Sequence, residues 1–137
     1  MKGLPSRYNL MLNGFVGEKF REEINTEAGI AKFLKFVATV ADMKMVTSQT
    51  INIEDATDGE WFGLSGLAMI ATSHIAFHIW PSYKSYFMFD ISSCKPFDVR
   101  KLVQDIEDYL EADITFESHK EYVPSYTIEE KDIIRKF

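Results

Sequence analysis

The side chains best suited to chemistry are concentrated between residues 63 and 94 of the chain. This stretch reads GLSGLAMIATSHIAFHIWPSYKSYFMFDISSC and sets serine, histidine and cysteine side chains among apolar ones. The residues of most interest are Ser65, Ser73, His74, His78 and Cys94. Because a polar group in an apolar setting needs a partner or a chemical purpose, the sequence predicts a functional site here.

Taken by themselves, these residue types leave more than one chemistry open. Serine, histidine and cysteine together are compatible with nucleophilic acyl transfer. The stretch has no Gly-x-Ser-x-Gly elbow, however, and no acidic residue clearly placed for a triad. A metal site of His74, His78 and Cys94 is another reading. On a strand the two imidazoles would share one face but stand four residues apart, which is a loose spacing for one ion and disfavours a metal.

Length, composition and charge limit the class of protein. With 137 residues, of which 46% are hydrophobic, the chain is expected to form a single domain over residues 1–137 with one core. The formal net charge of −6 argues against a nucleic-acid partner, because such proteins usually present a basic surface. The single cysteine excludes an intrachain disulfide, and a cytoplasmic location is expected.

The segment from residue 61 to residue 83 contains no charged side chain and is long enough to cross a bilayer. Its serines, histidines, glycines and proline favour buried strands over a membrane span. The N-terminus lacks the continuous apolar core of a signal peptide. We therefore expect no membrane partner.

The spacing of apolar residues predicts an α+β fold. Helices are expected from a cap at Thr26 to about residue 41 and from about Pro96 to Glu111. Strands are expected at 8–16, 46–53, 61–79 (as one strand or two), 86–92 and 114–122. The remaining segments read as an acidic loop at 54–60, a turn at 81–85 and a short helix or frayed tail at 127–137.

This order of elements predicts a two-layer sandwich, with two helices packed on one face of a mostly antiparallel sheet. The second face of such a sheet is left for a partner. Covering it with the sheet of another copy would produce a homodimer.

The segment Ser73–Pro81, SHIAFHIWP, resembles the Ser-His-x-x-x-His-x-Trp-Pro hallmark of the prokaryotic S-adenosylmethionine decarboxylases. That family also has Ser-Gly eight residues before a self-cleaved serine, which here is Ser65-Gly66. It has a catalytic cysteine after the next hairpin, which here is Cys94. The resemblance covers the chain from about residue 5 to residue 122.

The resemblance implies a proenzyme that makes its own pyruvoyl cofactor. The Ser73 hydroxyl attacks the carbonyl of Thr72, and the cut leaves a β chain of residues 1–72 and an α chain of residues 73–137 that begins with the pyruvoyl group. By the motif match, Ser65 would hold or protonate the processing intermediate. His78 would abstract the proton that drives elimination.

The resemblance also implies the later chemistry. The pyruvoyl ketone condenses with the substrate amine and accepts the electrons left behind by carbon dioxide. Cys94 is the family's acid that returns a proton to the α carbon. The small-molecule substrate would be S-adenosylmethionine, decarboxylated for polyamine (spermidine) biosynthesis. Trp61 and Phe62 are the nearest aromatic residues on which its base could stack, and His74 is expected to hydrogen-bond the backbone beside the cut.

The chain departs from the family pattern at three places. Thr72 stands where the family usually has glutamate before the cleaved serine, and Ser82 stands where it often has glutamate after Trp-Pro. The hairpin before Cys94 is one residue longer and carries Lys84 and Ser85 at its turn. These departures leave open two alternatives: decarboxylation of another amino acid, such as arginine or ornithine, and an uncut homologue that binds or regulates.

Strand geometry adds a constraint on the site. Ser73 and His78 lie five residues apart, so on an unbroken strand their side chains point to opposite faces. Either the chain kinks or bulges at the cleavage point, or His78 serves a site across a subunit interface. The family is similarly described as dimeric with sites between protomers, and we therefore predict a two-fold dimer.

Overall fold

A computed structural model describes residues 2–52, 63–124 and 127–128 of the chain. Two short 3-10 turns, Glu18–Phe20 and Pro81–Tyr83, connect some of its elements. The helices are α1 (Arg21–Ile24), α2 (Glu27–Val40) and α3 (Val99–Leu110). The strands are β1 (Lys2–Gly3), β2 (Arg7–Phe15), β3 (Met45–Asn52), β4 (Leu64–Ile70), β5 (Ser73–Trp80), β6 (Tyr86–Ser93), β7 (Asp113–Tyr122) and β8 (Thr127–Ile128).

Six of the strands form one sheet in the order β3-β4-β5-β6-β2-β7, and every neighbouring pair is antiparallel. The predicted α+β architecture is therefore confirmed. The apolar segment 61–79 contains two strands, and the turn between them consists of Ala71 and Thr72. Trp61, Phe62 and the acidic loop predicted at 54–60 lie outside the described residues.

The two long helices begin at side-chain caps. The Thr26 hydroxyl accepts the Gly29 N–H at 2.9 Å and starts α2, as the sequence predicts. The Asp98 carboxylate accepts the Lys101 N–H at 3.1 Å, so α3 begins at Val99 rather than at Pro96. Helix α1 was not predicted, because its polar sequence offers only one buried side chain, Ile24.

One apolar core lies between the helices and one face of the sheet. Phe33 of α2 lies at its centre, with its ring centroid 4.8 Å from that of Phe77 and 5.5 Å from that of Tyr109. Gly66 of β4 lets α2 approach closely, because a Cβ there would lie 2.4 Å from the Ile30 Cγ2 atom. The helix side of this hairpin is thus tightly packed, which fixes the strands that carry the site residues.

The opposite face of the sheet, called here the open face, retains exposed apolar side chains. It also carries His74 and His78, which alternate along β5 with the buried Ile75, Phe77 and Ile79. Its large exposed apolar residues include Met11, Leu67, Met69, Met88 and Phe116. Apolar side chains at this density are typical of a surface that another molecule covers.

Two ends of the fold differ from expectation. The tail predicted as a short helix or frayed segment contains β8, which pairs with β1 at the N-terminus. The longer β5–β6 turn places Lys84 and Ser85 in the left-handed region, with φ of 56° and 54°. Ser85 is buried, and its hydroxyl accepts the Asn25 side-chain N–H at 2.9 Å.

In the described residues, no helix is long and apolar enough to cross a membrane.

Candidate active site

The peptide bond between Thr72 and Ser73 lies where the β4–β5 turn enters β5. The Thr72 carbonyl oxygen accepts the backbone N–H of Cys94 at 3.1 Å. The Thr72 hydroxyl lies 2.8 Å from the Ser93 hydroxyl. These four residues, Thr72, Ser73, Ser93 and Cys94, are called the turn cluster below. They bring the predicted cleavage bond and the predicted acid to one end of the sheet.

The turn cluster has the parts that an acyl shift requires. A backbone N–H that points at a carbonyl oxygen polarises the carbonyl and stabilises negative charge that develops there. The Ser73 hydroxyl lies 3.2 Å from the His74 Nδ1 atom, to which it can donate when that nitrogen carries no proton. His74 therefore contacts the serine side chain, whereas the sequence predicted a hydrogen bond from His74 to the backbone.

Ser65 and His78 form a second cluster, called here the hairpin pair. They are direct cross-strand partners on β4 and β5, and the Ser65 hydroxyl lies 2.8 Å from the His78 Nδ1 atom. Residues at such positions of an antiparallel pair project from the same face. The motif spacing thus becomes a hydrogen-bonded pair on the open face.

Burial lowers the pKa of His78 below its ordinary value, and the negative charge of Asp90 opposes this shift. A lowered pKa keeps the imidazole neutral at pH 7, so that it can accept a proton. Asp90 lies on the adjacent strand β6 and is itself held by the Asn9 side-chain N–H at 2.6 Å. The electrostatics of the hairpin pair therefore suit a base.

The structure does not bring the hairpin pair to the turn cluster within one chain. Strand β5 pairs in unbroken register with β4 from Ser73 to Ile79 and with β6 from Ser73 to Trp80, so these residues contain no kink or bulge. Five residues of strand separate Ser73 from His78 by about 16 Å. His74 and His78 share the open face but lie about 13 Å apart, which is too far for one metal ion.

A groove of about 640 Å³ on the open face connects the two clusters. This volume is in the range of small-molecule sites. The described residues that line it are Thr47, Ser48, Gln49, Ile51, Ser65, Gly66, Leu67, Ala68, Met69, Ser73, His74 and His78. Ser73 of the turn cluster and both residues of the hairpin pair therefore border one cavity.

Cys94 follows the last residue of β6, and its side chain is exposed. The β5–β6 register is continuous from the turn at 81–85 to Ser73 and Ser93, so the longer turn leaves the end of β6 paired with the start of β5. The Cys94 N–H still meets the Thr72 carbonyl. The longer hairpin is thus compatible with a role for Cys94 beside Ser73.

Sequence reasoning missed two residues of this region, Ser93 and Asp90. Ser93 is 1% exposed and contacts Thr72, and Asp90 acts on His78. In sequence, Ser93 is one of two consecutive serines at a strand end, and Asp90 is a single acid in a strand. Neither position carries a signal of its own before the strands are paired.

Residues 17–120 match the sequence profile of the S-adenosylmethionine decarboxylase family. The chain belongs to this family. S-adenosylmethionine decarboxylase proenzymes of Clostridium botulinum strains Hall and ATCC 19397 are each 35% identical to it over 106 residues. Each alignment covers 77% of this chain and 84% of the relative. Members of the S-adenosylmethionine decarboxylase family are carboxy-lyases.

A solved structure gives the same answer for the fold. The crystal structure of the adenosylmethionine decarboxylase from Aquifex aeolicus VF5 matches with a TM-score of 0.63 and 19% sequence identity. The match covers 95% of this chain and 98% of that one. The arrangement of sheet and helices is therefore that of an S-adenosylmethionine decarboxylase.

Proposed function

We propose that the chain is a self-processing, pyruvoyl-dependent decarboxylase that cuts itself between Thr72 and Ser73 and acts on S-adenosylmethionine for polyamine (spermidine) synthesis in the cytoplasm. The observation that carries the proposal is the environment of this one peptide bond. Its carbonyl oxygen accepts the Cys94 N–H at 3.1 Å, and the Ser73 hydroxyl lies 3.2 Å from the His74 Nδ1 atom, to which it can donate when that nitrogen carries no proton.

The atoms and electrons of the self-processing reaction balance without an oxidant. The Ser73 oxygen bonds to the Thr72 carbonyl carbon, the C–N bond breaks, and the hydroxyl proton ends on the freed amine. Removal of the Cα proton of residue 73 then expels the Thr72 carboxylate, and water releases the nitrogen as ammonia. The products are residues 1–72 and residues 73–137, the second beginning with a pyruvoyl group.

The residues around position 73 fit such a group. Ser73 is half-buried, borders the groove, and has the exposed Cys94 next to the turn that precedes it. The pyruvoyl ketone supplies an electron sink for the bond to carbon dioxide, which no protein side chain provides. The Cys94 backbone N–H contacts the Thr72 carbonyl, which supports the proposal that the Cys94 thiol returns a proton to substrate carbon.

The roles of Ser65 and His78 require a second copy of the chain. Within one protomer the hairpin pair is about 16 Å along the strand from Ser73. The open face bears the hairpin pair and exposed side chains such as Leu67 and Met69, and Ser73 borders its groove. Covering this face in a two-fold dimer buries apolar surface. We propose that the hairpin pair of one protomer takes the proton from residue 73 of the other.

Substrate recognition rests on the groove. Trp61 and Phe62 precede Ser65 in sequence and remain our proposal for stacking against the nucleoside base. Ser82 lies exposed in the turn after Trp80 and provides no carboxylate at that position. This favours arginine or ornithine as the second candidate substrate. Release of carbon dioxide from carboxyl-labelled S-adenosylmethionine, arginine and ornithine distinguishes the candidates.

The decisive measurement is the intact mass of the purified protein, taken with and without borohydride. We expect two fragments, residues 1–72 and residues 73–137. The second should carry a carbonyl at its N-terminus that borohydride reduces. The Ser73→Ala variant should remain one chain, and the Ser82→Ala variant should cut normally as the matched serine control. A wild-type chain that stays whole and has no reactive carbonyl contradicts the proposal and supports a non-catalytic homologue.

A further inference from the structure

Ser93 is a buried hydroxyl that the mechanism above does not use. It is 1% exposed and lies on the helix side of β6, on the same face as Phe87, Phe89 and Ile91. A hydroxyl at such a place is costly unless it is hydrogen-bonded. It has two partners: the backbone N–H of Lys95 at 2.9 Å and the Thr72 hydroxyl at 2.8 Å.

The contact with Lys95 shapes the chain after β6. A serine hydroxyl that accepts the N–H two residues later closes a local turn. The Cys94 N–H, between the two, donates across the hairpin to the Thr72 carbonyl at 3.1 Å. Thr72 is therefore held at two points by the same short segment, at its side chain by Ser93 and at its carbonyl oxygen by Cys94.

We propose that Ser93 is a positioning residue for self-cleavage, in which its hydroxyl holds the Thr72 side chain and so orients the peptide bond that Ser73 attacks. This inference rests on the proposed function. Ser93 contacts neither the Ser73 oxygen nor the Thr72 carbonyl in any hydrogen bond of the structure, so it acts through Thr72.

Orientation matters because the attack is intramolecular. The hydroxyl oxygen must approach the carbonyl carbon along one direction, and two hydrogen bonds to one residue restrict the competing orientations. The step itself forms the Oγ–C bond, breaks the C–N bond and transfers one proton to the amine. Ser93 supplies no atom to that balance, and its effect is confined to the rate of the shift.

The test compares variants that change one hydroxyl at a time. Thr72→Val keeps the branched shape and removes the hydroxyl, whereas Thr72→Ser keeps the hydroxyl and serves as the conservative rescue. Cleavage of freshly translated, pulse-labelled chain is followed over time by gel and by intact mass. We expect Thr72→Val to cut about three- to tenfold more slowly than wild type and Thr72→Ser to cut near the wild-type rate.

Ser93→Ala and the double variant Thr72→Val/Ser93→Ala complete the cycle. Because the two hydroxyls act as one contact, we expect the double variant to be no slower than Ser93→Ala alone. Thermal unfolding of each chain in an uncut Ser73→Ala background reports any purely structural effect. If Ser93→Ala does not fold, the Thr72→Val and Thr72→Ser pair still decides the question.

Hydroxylamine identifies the step. It cleaves the ester that the acyl shift forms. It should therefore restore chain cleavage in His78→Ala, in which elimination is blocked. Chain cleavage in Thr72→Val should stay slow, because that variant forms the ester slowly. Thr72→Val at the wild-type rate, or independent slowing by the two substitutions, overturns the positioning role while self-processing stands. A wild-type chain that never cuts overturns the proposed function and this inference together.

Discussion

The turn cluster and the hairpin pair lie on the same β4–β5 hairpin but are built differently. The turn cluster joins two segments through a backbone contact and a buried hydroxyl pair, Cys94 to Thr72 and Ser93 to Thr72. The hairpin pair is one cross-strand contact on a face that none of the helices in the described residues covers. Under the proposed function, the attacking hydroxyl and the backbone donor of the acyl shift lie within one protomer. The proposed base for elimination, His78, lies about 16 Å along β5 from Ser73.

The strongest test of this difference is complementation between two inactive chains. Ser73→Ala should never cut, and His78→Ala should stop at the ester and cut only with hydroxylamine. Co-expression with two different tags should restore cleavage of the His78→Ala chain, because the intact His78 of one protomer then faces the intact Ser73 of the other. Cleavage of the His78→Ala chain is measured by the intact mass of the chains in the complex that carries both tags.

The matched control for that experiment is His78→Ala paired with a Ser73→Ala/His78→Ala chain, which supplies no base and should stay uncut. Mixed complexes that form but show no restored cleavage would place the elimination base inside one protomer. They would thereby remove the distinction between the two clusters.

A smaller effect separates the two parts of Cys94. Its backbone N–H belongs to the turn cluster, and substitution of the side chain leaves that N–H in place. Cys94→Ala should therefore still cut, while carbon dioxide release falls by on the order of 10²- to 10⁴-fold through loss of the general acid. Chain cleavage and carbon dioxide release are measured on the same preparation. An uncut Cys94→Ala chain would show that the thiol acts in processing, and full turnover would remove its role as the acid.

The smallest expected effect concerns the electrostatics of the hairpin pair. Asp90 raises the pKa of His78 against the larger lowering by burial. Asp90→Asn removes that negative charge, so the His78 pKa should fall further and the imidazole should stay neutral to lower pH. Histidine NMR titration of the uncut Ser73→Ala chain measures this, with His74→Gln and His119→Gln as assignment controls. An unchanged or higher pKa would contradict the assigned influence of Asp90.

The sequence predicts the helices and most strand positions because their apolar spacing is regular. It cannot place the break between β4 and β5, since the segment around Ala71 and Thr72 has no charged residue, glycine or proline to mark a turn. The break is fixed by pairing with β3 on one side and β6 on the other. Helix α1 escapes prediction because only Ile24 of its four residues is buried.

For the site, the motif spacing predicts which residues matter but not which of them meet. Strand parity correctly separates Ser73 from His78, and register alone brings Ser65 opposite His78. Ser93 and Asp90 become visible only when β6 is laid beside β5. Contacts between residues distant in sequence depend on the pairing of strands, which local pattern does not encode.

The strand order has a consequence for the life of the processed protein. Strands β2, β3 and β4 precede the proposed cut, and β5, β6 and β7 follow it. Because β2 lies between β6 and β7, the two products would pair at three places in the six-stranded sheet, β4–β5, β6–β2 and β2–β7, and β1 pairs with β8 across the cut as well. Severing the chain would thus create new ends without creating separable parts. The two fragments would co-purify as one complex and would separate only in denaturant.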